Sequence, residues 1–174
     1  MDLLDFTSED LYFDEPLQSE ARHCLELAAA QYAEGRAESS LLRAYFLAPE
    51  HPMVLVAMYR FFYYQHRLED ALLVADRVLR VFAERLELPL DWRELTETQI
   101  GAGVMVSMAM IRFYLLALKG AGFLQLRLGL YDDALARLAK VVELDVHDRL
   151  GARALLEVAQ RALQAQPSSV LAKS

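Results

Sequence analysis

The run from Leu118 to Asp145 limits this chain more than any other stretch. It holds Gly122, Gly129, Tyr131, Ala134 and Leu138, and closes on Val142-Glu143-Leu144-Asp145. The chemistry of that spacing is a helix, a tight corner and a second helix. Gly122 and Ala134 are small, so two antiparallel helices can approach closely. Gly129 can leave the first helix in the left-handed conformation that most residues avoid. Tyr131 and Leu138 are placed to fill the space between neighbouring helix pairs. One such unit cannot bury its own apolar face, so further copies are expected.

Two weaker copies lie upstream. His66-Arg67-Leu68-Glu69-Asp70-Ala71 aligns with Gly129 to Ala134, and Gly35-Arg36-Ala37-Glu38-Ser39-Ser40 aligns again. Gly35 and His66 are 31 residues apart, near the roughly 34-residue period of the tetratricopeptide (TPR) family, which this pattern resembles. His66 stands where the family has Gly, and Ser40 where it has Ala. Pro49 and Pro52 fall where one pair closes and the next opens. From His66 to Gly129 is 63 residues with no signature midway, which reads as an insertion plus a lengthened helix over 88–119. The resemblance implies an all-α, TPR-like stack of three antiparallel helical hairpins near 16–48, 52–87 and 97–144. A C-terminal capping helix follows near 147–165. No run alternates with period two, so no strand is expected.

The expected organisation is therefore an arm over 1–15, one helical domain over 16–165 and a flexible tail over 166–174. The arm carries Asp2, Asp5, Glu9, Asp10, Asp14 and Glu15, with no basic residue, interleaved with Leu3, Leu4, Phe6, Leu11, Tyr12 and Phe13. It reads either as an arm folded onto the first hairpin or as a docking segment for a partner. Pro16 is placed for the first position of the next helix.

Ile100 to Leu118 carries one charge, Arg112, and approaches the length of a membrane span. Arg112 lies well inside it, basic residues do not cluster at one end, and Thr96-x-x-Gln99 has the form of a capping box. The segment is expected to be a buried central helix. Gly101, Ala102, Gly103, Ser107 and Ala109 suit close packing on another helix, in this chain or a partner.

The formal charge of −7 counts against nucleic acid, which needs a basic footprint. Cys24 is the only cysteine, so no internal disulfide is available and a reducing compartment, the cytoplasm, is expected. The acidic start lacks the positive region of a signal peptide. His23, His51, His66 and His147 have no metal-ligand spacing. Gly120-Ala121-Gly122 falls inside a helix with no phosphate-loop Lys after it. Ser107 has no local His or Asp to activate it. The chain is expected to be no enzyme and to need no cofactor or metal.

Binding remains. The family's groove positions map onto Arg22, Leu25 and Tyr32 in the first hairpin. In the second they fall on Met53, Val56, Arg60, Tyr63 and Tyr64, and in the third on Leu116, Lys119, Phe123 and Arg127. Of these, Arg22, Tyr32, Arg60, Tyr63, Tyr64, Lys119, Phe123 and Arg127 form the expected partner-binding set, a basic and aromatic face on an acidic protein. Arg and Tyr anchor interfaces because they join apolar area to hydrogen bonding. The positions that clamp a terminal carboxylate in chaperone-tail receptors hold Leu25 and Ala29, so that activity is not expected.

A narrower resemblance rests on whole segments: Leu41 to His51, Tyr59 to Arg67, Arg112 to Gly122, and the opening Asp10-Leu11-Tyr12-Phe13-Asp14. These resemble small TPR proteins of diazotrophic bacteria encoded near nitrogen-fixation genes, the nitrogenase-associated factor T family. That resemblance implies a cytoplasmic, non-catalytic adaptor or assembly factor. Its client would be the molybdenum–iron protein of nitrogenase, during maturation, cofactor insertion or repair. The alternative is a structural subunit of an obligate oligomer, with helix 97–119 as its interface.

Overall fold

Four corners of one design shape the chain: one at Glu87 (φ 54°), where the Leu88 N–H reaches the Ala83 carbonyl at 2.8 Å, and three at positions aligned from sequence. At each of these three, a helix ends in a residue with positive φ: Gly35 at 69°, His66 at 57° and Gly129 at 76°. The next residue then donates its N–H to a carbonyl five positions back. The pairs are Arg36 to Gln31 at 3.3 Å, Arg67 to Phe62 at 2.9 Å and Leu130 to Gln125 at 2.9 Å. This pattern satisfies carbonyls that a helix end leaves without partners. Among the aligned positions, His66 is held where glycine is easier to place.

A computed structural model describes residues 15–165. The helices are α1 (Ser19–Gln31), α2 (Ala37–Leu47), α3 (Pro52–Tyr64), α4 (Leu68–Arg85), α5 (Glu97–Arg127), α6 (Tyr131–Leu144) and α7 (Ala152–Ala165). Short 3-10 turns cover Tyr32–Glu34 and Trp92–Glu94. The fold is all-helical, with no strand among the described residues. Each helix packs mainly on its sequence neighbours, and α5 lies between α4 and α6. The expected arm and tail lie outside the described residues, apart from Glu15.

Local chemistry explains the boundaries. Pro52 opens α3 at its first turn, and the His51 ring caps it by accepting the Met53 N–H at 3.2 Å. The Thr96–Gln99 capping box forms in both directions, at 3.3 Å and 2.9 Å. Pro16 does not open a helix; α1 begins three residues later, at Ser19. The last helix begins at Ala152 rather than near 147, because Asp148 and Gly151 hold left-handed φ and break the helical path.

The expected central helix is buried over only part of its length. From Ile111 to Gln125 it is the core of the fold: Phe113, Tyr114, Leu116, Ala117, Leu118 and Leu124 are fully enclosed. Phe113 meets Phe82 of α4 edge to face at 4.8 Å. The first part is different. Ser107 leaves helical geometry (φ −161°, ψ 109°), and its Oγ accepts the Met110 N–H at 3.2 Å, capping a fresh start. The segment before this break turns back so that Gly103 rests on Ile111. A Cβ at Gly103 would lie 2.5 Å from Ile111 Cδ1. Met105, Val106 and Met108 are left exposed, Met105 at 87%. Glycine and serine explain the break, since both favour alternatives to a continuous helix. α5 is long and apolar enough to cross a membrane, and nearly half of its most apolar stretch is buried inside the fold.

The linker between α4 and α5 is held by charge and aromatic contacts. Asp91 caps the turn by accepting the Arg93 N–H at 3.0 Å. Trp92 meets the guanidinium groups of both Arg93 and Arg137, at 4.4 Å and 5.5 Å from the ring centroid. Arg137 also pairs with Asp76 of α4 at 2.7 Å. A linker, two helices and an ion pair thus meet at one indole ring.

Candidate functional site: a basic and aromatic face

Most of the expected partner-binding residues come together. Tyr32, Arg60 and Tyr64 line one cleft of about 230 Å³ between the first two helix pairs. Its floor is made of small and apolar residues: Leu25, Ala28 and Ala29 of α1, Ala37 and Leu41 of α2, and Ala57 and Phe61 of α3. Helical spacing puts Ala57, Arg60, Phe61 and Tyr64 on one face of α3, at i, i+3, i+4 and i+7. Tyr32 closes the cleft from the 3-10 turn after α1 by meeting Phe61 edge to face at 6.2 Å.

The aromatic surface continues from this cleft onto α5. Tyr63 packs on Tyr64 at 5.5 Å, on Tyr59 at 6.4 Å and on Phe123 at 6.3 Å. The Arg127 guanidinium stands over the Phe123 ring at 6.0 Å. Tyr32, Tyr64 and Arg127 are exposed, while Arg60, Tyr63 and Phe123 are half-buried. Six expected residues therefore form one continuous surface, from Tyr32 through Arg60, Tyr63 and Tyr64 to Phe123 and Arg127.

Two expected residues do not belong to it. Lys119 is only 5% exposed, and its Nζ donates to the Leu150 carbonyl at 2.7 Å. The ammonium fastens the turn before α7 to the core helix. Lys119 lies one turn before Phe123 on the same side of α5, but there the turn before α7 covers it, and a buried cation needs an oxygen partner. Arg22 is exposed in the first turns of α1, about 15 Å along the axis from Tyr32, outside the cleft. Val56 and Leu116, also at mapped groove positions, are core residues.

Sequence reasoning missed Phe61 and Ala57. Their spacing relative to Arg60 and Tyr64 was the available signal, but the pairing of Phe61 with Tyr32 joins separate helices. Leu25 and Ala29 do line the cleft. An apolar cleft wall, rather than a carboxylate clamp, occupies those positions.

Among the described residues, no group of three or more His, Cys, Asp or Glu side chains is arranged to hold a metal ion. His51 is committed elsewhere: Nδ1 accepts from Met53, and Nε2 lies 3.1 Å from the Glu15 carbonyl. Cys24 is buried beside the Arg43–Glu20 pair. Burial pushes the Tyr114 hydroxyl well above the ordinary phenol range, so it stays protonated inside the core.

Fold and surface together describe an all-helical protein with an aromatic, cationic face between helix pairs. The chain is 52% identical over 158 residues to the uncharacterized 19.8 kDa protein in the nifW 5′ region of Azotobacter chroococcum mcd 1. The match covers 91% of this chain and 88% of that protein, and the chain belongs to the same family. The relative's gene region is related to nitrogen fixation. No family model matches the chain, so that comparison adds nothing to the TPR resemblance. No solved structure matches it either.

Proposed function

We propose that this protein is a non-catalytic adaptor or assembly factor of nitrogen fixation, working in the cytoplasm on a protein client. Its helix pairs act as a TPR-like stack, and the face from Tyr32 to Arg127 holds the client. The observation that carries this reading is the joining of Arg60 and Arg127 to Tyr32, Tyr63, Tyr64 and Phe123 in one surface of an acidic chain. Such a surface attracts acidic partners and anchors them through apolar area. The nitrogen-fixation setting of the relative supports the molybdenum–iron protein of nitrogenase as that client. It also agrees with the resemblance to nitrogenase-associated factor T.

The test is a titration of purified molybdenum–iron protein with wild type and with the Arg60→Glu/Arg127→Glu double variant. The variant should bind more than tenfold more weakly, as hot-spot losses of about 2 kcal/mol imply. Equal affinity would remove the face from the binding site.

A second reading is favoured by the exposed Met105, Val106 and Met108 on the first part of α5. An apolar helix face of this kind suits a structural subunit whose 97–119 segment joins copies into an obligate oligomer. Sedimentation separates the two readings. A monomer that stays unchanged on dilution supports the adaptor. An oligomer broken by Met105→Glu/Met108→Glu supports the subunit.

A further inference from the structure

The chain enters the described fold at a fixed point. The Glu15 carbonyl lies 3.1 Å from His51 Nε2, and its carboxylate takes both Arg85 guanidinium nitrogens, at 2.7 Å and 3.3 Å. Arg85 also donates to the Glu50 carbonyl at 3.0 Å. His51 caps α3, so Glu15, the first described residue, is held at the N-terminal end of α3. From there α3 runs past Arg60 to Tyr63 and Tyr64 over 13 residues, about 20 Å.

Residues 1–14 can cover that distance. Fully extended they span about 46–50 Å. They hold five carboxylates, Asp2, Asp5, Glu9, Asp10 and Asp14, and no Lys or Arg. The face alongside carries Arg60 and Arg127, with aromatic rings between them. Arg112, three turns before Phe123, falls on the same side of α5 by helical spacing and is exposed. Charge sign, aromatic content, tether point and length all match.

We propose that residues 1–14 are the resident occupant of the basic and aromatic face. The segment runs from Glu15 along α3, its carboxylates toward Arg60, Arg112 and Arg127 and its rings toward Tyr63, Tyr64 and Phe123. A client must displace it, so the arm sets the threshold for binding. This inference rests on the reading of that face as the client site, and adds its regulation.

The test uses the full chain without client. Tyr12 is replaced by p-benzoylphenylalanine, the protein is irradiated, and linked peptides are identified by mass spectrometry. Links within one molecule to 60–64 or 112–127 are expected, falling several-fold between low salt and 0.5 M salt as screening shortens to a few ångströms (~3–5 Å). Asp2→Asn/Asp5→Asn/Glu9→Gln/Asp10→Asn/Asp14→Asn in the same chain should abolish them. Links to Met105 or Met108, links only between molecules, or links indifferent to the five substitutions would each overturn the proposal. The outcome is independent of client binding. Links to the face in a protein that binds no molybdenum–iron protein keep the arm contact and reject that client. Loss of client binding in the Arg60/Arg127 variant, without such links, keeps the face and rejects the arm.

Discussion

Gly122 of α5 and Leu138 of α6 touch so closely that a side chain at Gly122 has no room. A Cβ there would lie 2.9 Å from Leu138 Cγ and 3.3 Å from Arg137 Cβ. Leu138 is fully buried and cannot swing aside. Gly101, in the same helix, has nothing within 4 Å of its Cβ position. Alanine should therefore act with opposite sign at the two sites. Gly101→Ala should stabilise by about 0.5–1 kcal/mol through helix propensity. Gly122→Ala gains the same term but loses about 1–3 kcal/mol to overpacking, so its melting temperature should fall. Equal rises in thermal melts would show that the crossing relaxes freely.

His66→Gly should raise stability. Gly35, His66 and Gly129 fill the same left-handed corner, and of these three His66 alone carries a Cβ there. That conformation costs a non-glycine residue about 1–2 kcal/mol, offset in part by the greater freedom glycine has when unfolded. The net expectation is a gain of about 0.5–1 kcal/mol in denaturant titration. A loss would mean that the exposed imidazole holds the corner by a contact of its own.

Asp91 should contribute to the acid limb of stability. The hydrogen bond from the Arg93 backbone N–H, opposed by some desolvation and helped by the Arg93 side chain, holds its carboxyl below the ordinary Asp range. A depressed native value means the unfolded chain binds the proton more readily. The contribution is complete above the ordinary Asp value near ~3.9 and fades as pH falls through the lower native value. Asp91→Asn should flatten the pH dependence of stability below about pH 5 and leave its shape unchanged near neutrality. An unaltered acid limb would place that dependence on other carboxylates.

Lys119→Met should lower stability and spare binding. The substitution keeps most of the side-chain volume but leaves the Leu150 carbonyl without its 2.7 Å donor. A loss of about 1–3 kcal/mol is expected, with faster hydrogen exchange at the start of α7. Affinity for the molybdenum–iron protein should stay at the wild-type level. A drop in affinity with stability unchanged would return Lys119 to the binding surface.

Local rules made the corners and helix starts legible. Glycine at 35 and 129, the 31-residue spacing to His66, proline at 52 and the Thr96–Gln99 pair each act within a few residues of chain. Their geometry therefore followed from sequence order. The groove positions implied by the TPR resemblance likewise singled out Arg60, Tyr63 and Tyr64 on α3 and Phe123 and Arg127 on α5.

What the sequence by itself determined was an all-helical chain, three left-handed corners and the residue types of a basic and aromatic face. What only the tertiary structure decided was which of those side chains share a surface. Lys119 and Arg127 lie on one helix and carry one charge, yet the first is enclosed by the turn before α7 and the second is open. Met105 and Leu116 belong to one apolar run, yet the break at Ser107 exposes the first and the core encloses the second. Periodicity fixes the angle of a side chain around its own helix. Its burial depends on the neighbouring helix that meets it, through contacts between residues distant in sequence that no local pattern records.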